Sequence, residues 1–385
     1  MDFELTDEQK MLQETAYKFA LRELEPIARA CDREERYPRD LITKACATGL
    51  VGCFVPEAYD GPGFGFFEHA LVSEQLSRVD LGLAQVIAAA SFGTENILLF
   101  GSEEQKKKYL PLVLNGRALF AGAYTEPDAG TDLANARTTA VRDGDEYVVN
   151  GTKMFITNGN VCDFMVVLCV THPAEEKKHR RFSLILVEAD RKGITRNKIR
   201  GKMGIRASDT AELVFEDVRV PAANLVGEPG RGFYHLMHFF DITRTHVAAQ
   251  GVGLAQGALD KTLRYVRERQ TFGQPLAANQ AVQFMLAEMA TKIELARNTF
   301  YKAARQVDQG RLDPALNAMA KYFAAETAVW VCDKALQLHG GYGYIDEYDV
   351  QRFYRDAKIL EIYEGAKEAE KMTIARRLLQ AGGMP

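Results

Sequence analysis

The chain changes its hydrophobic period twice. In the first third, apolar positions recur at helical spacing. Thr6-Asp7-Glu8-Gln9 is a capping box ahead of an apolar face begun by Met11, Leu12, Tyr17 and Phe19. A second box, Ser102 to Gln105, opens a helix that the pattern closes near Pro111 and Asn115-Gly116. Pro56 to Gly63 is turn chemistry between helices. From about residue 119 the period falls from about 3.6 to 2. Asp143-Gly144-Asp145, between Thr138 to Arg142 and Glu146 to Asn150, predicts a hairpin. Val166 to Val170, Phe182 to Glu188 and Ala211 to Val220 predict further strands, the last ended by Pro221. After Gly227, Gly230 and Gly232 the helical period returns over 233–268, 278–309, 314–339 and 347–377, each long enough for one rod of a bundle. The expectation is an α+β protein, mostly α: an N-terminal helical domain over 1–118, a central β-domain over 119–231 and a C-terminal helical bundle over 232–385.

With 385 residues the chain exceeds what one core usually serves, which agrees with this division. A net charge of −4 gives no footprint for nucleic acid, and Lys106-Lys107-Lys108 is offset by Glu103 and Glu104. The cysteines Cys31, Cys46, Cys53, Cys162, Cys169 and Cys332 are scattered without C-x-x-C or zinc-finger spacing, so buried free thiols are expected. The acidic start (Asp2, Glu4, Asp7, Glu8) is unlike a signal or transit peptide, and no apolar run is expected to approach the roughly 18 residues of a membrane span. A cytoplasmic setting is expected, or the mitochondrial matrix for a form whose transit peptide has been removed.

Candidate chemistry centres on Arg355 to Gly365, where Glu364 stands at a glycine break near the end of a helical pattern. Glycine frees the backbone there, so the carboxylate can point into a cavity instead of along a solvated face. Tyr124-Thr125-Glu126 and Phe155-Ile156-Thr157 set hydroxyls beside aromatic and apolar residues at strand ends, suited to a polar heteroaromatic ring. Other signals are weaker. Gly251-Val252-Gly253 with Gly257 offers GxGxxxG but follows helical sequence, not a strand, so close helix packing is expected instead of dinucleotide binding. His235 and His238 share a helical face without a matching ligand segment, so no metal site is expected. No G-x-S-x-G elbow is present, and Ser208 reads as turn polarity.

Ala123 to Asp132, Lys153 to Gly159, Arg269 to Gly273, Gln337 to Gly341 and the Glu364 segment stand in the order and at the spacing of the acyl-CoA dehydrogenase family, which the chain resembles from about residue 3 to about residue 378. The resemblance implies three domains, the central one made of two small packed sheets. It implies FAD as cofactor and α,β-dehydrogenation of an acyl-CoA thioester to the trans-2-enoyl-CoA, with Glu364 removing the α-proton, a β-hydride going to flavin N5 and electrons passing to electron-transfer flavoprotein. Tyr124, Thr125 and Thr157 match positions that contact the flavin ring, and Phe155 matches the aromatic position that shields it. Arg269, Thr271, Phe272, Gln337, Gly340 and Gly341 match positions for the diphosphate and adenosine part, reached from a neighbouring subunit, so a homotetramer is implied. Ala366 and Glu368 fall at cofactor positions where the family usually has Thr and Gln, which puts part of the adenosine contact in doubt. Thr131, Phe240, Asp241, Arg244, Tyr363 and Gly365 match substrate-side positions. Some relatives carry the base at the position of Thr243, which threonine cannot serve, so Glu364 has no visible competitor.

The alternatives are a dehydrogenase for alicyclic or branched acyl-CoA, a non-catalytic flavoprotein with the same fold, and an oxygen-using acyl-CoA oxidase. Residues 82–100, expected to close the acyl pocket, contain Ala88, Ala89 and Ala90 and no Arg or Lys, which disfavours glutaryl-type substrates.

Overall fold

The computed structural model describes residues 4–380, so Asp2 of the acidic start lies outside them. Among the described residues the first domain is helical: α1 Asp7–Glu23, α2 Glu25–Glu34, α3 Arg39–Ala47, α4 Phe66–Val79, α5 Leu81–Ser91, α6 Thr94–Phe100 and α7 Glu103–Leu114. Both capping boxes form, with Thr6 and Ser102 each accepting from the N3 amide while the N3 glutamine returns the bond. Pro111 does not end α7: it sits inside the helix, which runs on to Leu114.

One sequence expectation fails here. Leu81–Phe100 is an apolar stretch of 20 residues with mean hydropathy 1.4, which meets the length of a membrane span. The stretch is broken into α5 and α6 at Gly93 (φ +97), and most of it is buried inside the protein. Length alone missed this, because a core helix enclosed by other elements needs no polar face.

The middle of the chain is a sheet: β1 Phe120–Ala123, β2 Thr139–Asp143, β3 Glu146–Thr157, β4 Phe164–Val170, β5 Phe182–Glu188, β6 Ile194–Lys198, β7 Thr210–Pro221 and β8 Leu225–Val226. One half runs β6-β7-β3-β2 and the other joins β1, β4, β5 and β8. The halves share the single pair Thr139↔Val170. The β2–β3 hairpin forms across Asp143↔Glu146, as its Asp-Gly turn predicts.

Four longer helical segments follow: α8 Gly232–Glu268, α9 Gln280–Asp308, α10 Pro314–His339, and a last segment split into α11 Val350–Ala357 and α12 Lys367–Gln380. Two short strands, β9 Gln270–Thr271 and β10 Gln274–Pro275, pair antiparallel between α8 and α9. The glycines of α8 serve packing: a Cβ at Gly253 would fall 2.0 Å from the Glu74 carbonyl oxygen, and one at Gly257 would fall 1.9 Å from that of Arg78. α4 therefore lies directly on α8. His235 stacks on Phe100 at 4.1 Å between ring centres, so this histidine is used in packing. The observed order of helices, sheet and helices is the expected fold class.

The domains are locked by buried polar contacts. Asn158, in the left-handed region at φ +60, donates from Nδ2 to the carbonyls of Ala89 (2.8 Å) and Phe120 (3.2 Å), tying α5 to the sheet. Arg352 of α11 pairs with Asp80 at 2.9 Å, both almost fully buried. Asp356 accepts from the Ile205 amide at 2.6 Å, joining α11 to the loop before β7.

Candidate active site

The segment from 358 to 366 is where the last helical rod breaks. α11 passes into a 3₁₀ turn over Lys358–Glu361, and then Glu364 (φ +55) and Gly365 (φ +101) both enter the left-handed region. For glutamate this is uncommon and mildly unfavourable, so the surroundings must hold it there. Tyr363 donates its hydroxyl to Gln250 Oε1 (2.7 Å), whose amide donates in turn to Gln85 (2.9 Å). Lys321 Nζ donates to the Gly365 carbonyl. The Glu364 N–H has no backbone partner among the described residues and remains a free donor.

The Glu364 side chain receives a hydrogen bond of 2.6 Å from the Thr243 hydroxyl on α8. The residue keeps part of its surface open, but its carboxyl is surrounded by protein, and this desolvation dominates its titration. Burial raises it to about 7, against the opposing effects of the Thr243 hydrogen bond and of Lys321 and Arg244, with Glu370 reinforcing the rise. A carboxyl titrating near neutrality, with one oxygen held, is suited to accept a proton.

Phe240, Asp241 and Arg244 lie on α8 beside Thr243, as their spacing requires. Asp241 pairs with Arg244, and Arg244 reaches on to Glu370 at 3.0 Å. Thr131 is exposed on the loop after β1. Tyr124 is buried, its ring packed edge-on against Phe239 and Phe240 and its hydroxyl receiving the Asn96 amide at 2.9 Å. Its phenol therefore walls the interior. Glu95, which sequence reading passed over, is buried in the same region, accepts the Gly93 amide at 2.7 Å, and is pushed up to about 8 by burial.

Thr125 is brought beside the β3 residue Phe155, because the adjoining Met154 amide donates to the Thr125 carbonyl at 2.9 Å, and Thr157 ends the same strand, paired with Thr210. Phe155, at φ +59, turns its ring outward and is 66% exposed. Beneath them Lys153, fully buried, joins Glu126 Oε1 at 2.8 Å and the Tyr124 carbonyl at 3.1 Å. Sequence reading missed this pair. Its only trace was a lysine at an inward position of an alternating strand.

The remaining predicted residues gather elsewhere. Arg269, Thr271, Gln337, Gly340 and Gly341 line a cleft of ≈ 460 Å³ with Tyr265 and Tyr342, and none of the residues around Glu364 borders it. Arg269 is exposed, lies 5.5 Å over the Tyr342 ring, and makes no ion pair among the described residues. Nothing beyond the adjoining chain lies within 4 Å of the Cβ position at Gly340 or Gly341, so a ligand can approach the backbone there, although the Gly340 N–H itself is taken by the Gln337 carbonyl. Phe272 projects completely into solvent beside this cleft. Ala366 is half-buried and Glu368 exposed; neither lines the cleft.

Family profiles match all three parts of the chain: acyl-CoA dehydrogenase N-terminal domain over residues 6–117, middle domain over 121–218 and C-terminal domain over 230–379. The chain belongs to the acyl-CoA dehydrogenase family. It is an enzyme of that family by the same measure, since its relatives act on acyl-CoA thioesters. Acryloyl-CoA reductase (NADH) of Anaerotignum propionicum is 42% identical over 382 residues, covering 99% of this chain and 96% of that one. Butyryl-CoA dehydrogenase of Megasphaera elsdenii superposes with a TM-score of 0.95 at 39% identity, covering 98% of this chain and all of that one. A chain solved in work on the electron transferring flavoprotein of Acidaminococcus fermentans superposes with a TM-score of 0.96 at 41% identity, covering 99% and 100% of the two chains.

Proposed function

We propose that this protein is an FAD-dependent dehydrogenase that converts an acyl-CoA thioester to its trans-2-enoyl-CoA. The observation that carries the proposal is Glu364: a carboxyl raised to about 7, oriented by Thr243 at 2.6 Å and adjoined by its own free N–H. Glu364 takes the α-proton while its N–H polarises the thioester carbonyl, and polarisation is needed because the α-proton of a thioester is only weakly acidic. FAD, when bound, supplies the acceptor for the β-hydride.

The outward ring of Phe155 and the hydroxyls of Thr125 and Thr157 fit the flavin ring, while the Arg269 guanidinium and the unobstructed backbone at Gly340 and Gly341 fit its diphosphate. These two groups of residues lie apart, which supports a site completed by a second copy of the chain and hence a homo-oligomer, a tetramer in this reading. Phe272 and Tyr344, at 104% and 83% exposure, are the kind of apolar surface such an assembly covers. Ala366 has no hydroxyl to offer the adenosine, and neither Ala366 nor Glu368 lines the Arg269 cleft, so the other residues carry that end.

Thr131, Phe240, Asp241, Arg244 and Tyr363 belong to the CoA and acyl side, where the relatives named for acryloyl-CoA and butyryl-CoA support a short acyl group. Electron-transfer flavoprotein as acceptor is supported by the similarity to the Acidaminococcus chain. The six cysteines are free thiols, in keeping with the cytoplasmic setting of this reading.

Anaerobic addition of butyryl-CoA to the purified protein tests the proposal: the flavin absorbance should bleach. An unbleached flavin across a panel of acyl-CoAs would favour a non-catalytic flavoprotein. Rapid turnover in air without an added acceptor would favour an oxidase.

A further inference from the structure

Behind the Glu364–Gly365 turn lies a buried cluster of charges in which Glu370 and Lys321 are left without a role by the reaction above. Glu370, on the first turns of α12, has no exposed surface. Arg244 Nε lies 3.0 Å from its Oε1, and Arg244 also pairs with Asp241 one turn earlier on α8. Lys321, fully buried on α10, holds the Gly365 carbonyl. A Cβ at Gly365 would fall 2.0 Å from Glu370 Oε1 and 3.8 Å from the Arg244 guanidinium. The peptide next to the base is thus walled by a carboxylate on one side and anchored by an ammonium on the other.

The groups acting on Glu364 come from four helices and two loop residues. α8 supplies the Thr243 hydroxyl and Arg244 with its partner Asp241; α10 supplies Lys321; α12 supplies Glu370. Glu95 on α6 is held protonated at neutral pH by burial, and the phenols of Tyr124 and Tyr363 are kept neutral in the same way. Two cations facing one buried carboxylate favour its ionised form and weaken it as a base. Burial also raises the Glu370 carboxyl, and Arg244 and Lys321 oppose that rise.

We propose that Glu370 is a positioning residue for the reaction, which walls Gly365, anchors Arg244 and offsets the positive charge that Arg244 and Lys321 would otherwise direct at Glu364. The inference rests on Glu364 being the base. Without the Glu370 charge, Glu364 gives up its proton more readily and accepts the substrate's proton less well.

Glu370→Gln keeps the size and removes the charge. With the FAD-loaded enzyme, butyryl-CoA and an artificial electron acceptor, the acid limb of kcat/KM should move to lower pH by about one unit, and the plateau kcat should fall by roughly tenfold. Flavin content should be unchanged. An unmoved limb with an unchanged plateau overturns the proposal, and so does a fall in melting temperature alone, which marks a purely structural role. Should Glu370→Gln not accumulate as folded holoenzyme, Glu370→Asp withdraws the charge by one methylene; a smaller shift in the same direction supports the proposal and no shift overturns it. Glu364→Gln separates the two readings. If it keeps its rate, the base assignment fails whatever Glu370 does; if it loses its rate while the Glu370 variants change nothing, only the present inference fails.

Discussion

The Thr243 hydroxyl and the Glu364 carboxylate, 121 positions apart in the chain, meet at 2.6 Å. α8 brings the hydroxyl and the break between α11 and α12 brings the carboxylate, so the contact exists only when the bundle is closed. In the proposed reaction Thr243 therefore orients the base.

Glu364→Gln is nearly isosteric and cannot accept the proton. Turnover of butyryl-CoA should fall by roughly 10²–10⁴-fold, with flavin content and acyl-CoA binding retained. A rate within about tenfold of the parent would remove Glu364 from the mechanism.

Thr243→Val tests how the base is tuned. In the parent, kcat/KM should rise with pH through about 7 as Glu364 loses its proton. The Thr243 hydrogen bond favours the charged carboxylate and so lowers its pKa; without it the acid limb should move to higher pH, by about one unit. A limb that stays in place or moves to lower pH contradicts the contact's role.

Arg269→Ala removes an exposed guanidinium from the cleft lined by Gly340 and Gly341. The variant should lose FAD on gel filtration and melt at lower temperature, because a ligand bound only to the folded form stabilises it, by about 2.7 kcal/mol at a hundredfold excess over Kd. An unchanged flavin-to-protein ratio would show that Arg269 does not hold the cofactor.

On α5 the three alanines are not equivalent: Ala89 and Ala90 are fully buried, whereas Ala88 is half-buried. Ala88→Leu should therefore reduce turnover of longer or bulkier acyl-CoAs well beyond that of butyryl-CoA, while Ala89→Leu and Ala90→Leu should lower stability for every substrate. Overpacking costs about 1–3 kcal/mol, equivalent to roughly five to more than a hundredfold in rate. Equal losses across substrates for Ala88→Leu would show that this wall does not meet the acyl chain.

The sequence by itself determined what depends on neighbours along the chain. The capping boxes at Thr6 and Ser102, the Asp-Gly hairpin between β2 and β3, and the change of period near 119 and again near 232 are set by residues a few positions apart. Glu364 stood out for the same reason, since the glycine beside it marks the break. Tertiary structure alone decided how α5 and α6 are used, because a long apolar run reads alike in a membrane and in a core. It alone paired Lys153 with Glu126, joined Arg352 to Asp80, and set Lys321 and Glu370 behind Gly365. Periodicity reports which face of an element is apolar, but a charge set on that face has no local partner to announce it. Its partner comes from another element, and in a desolvated interior that distant pairing decides whether the charge is tolerated.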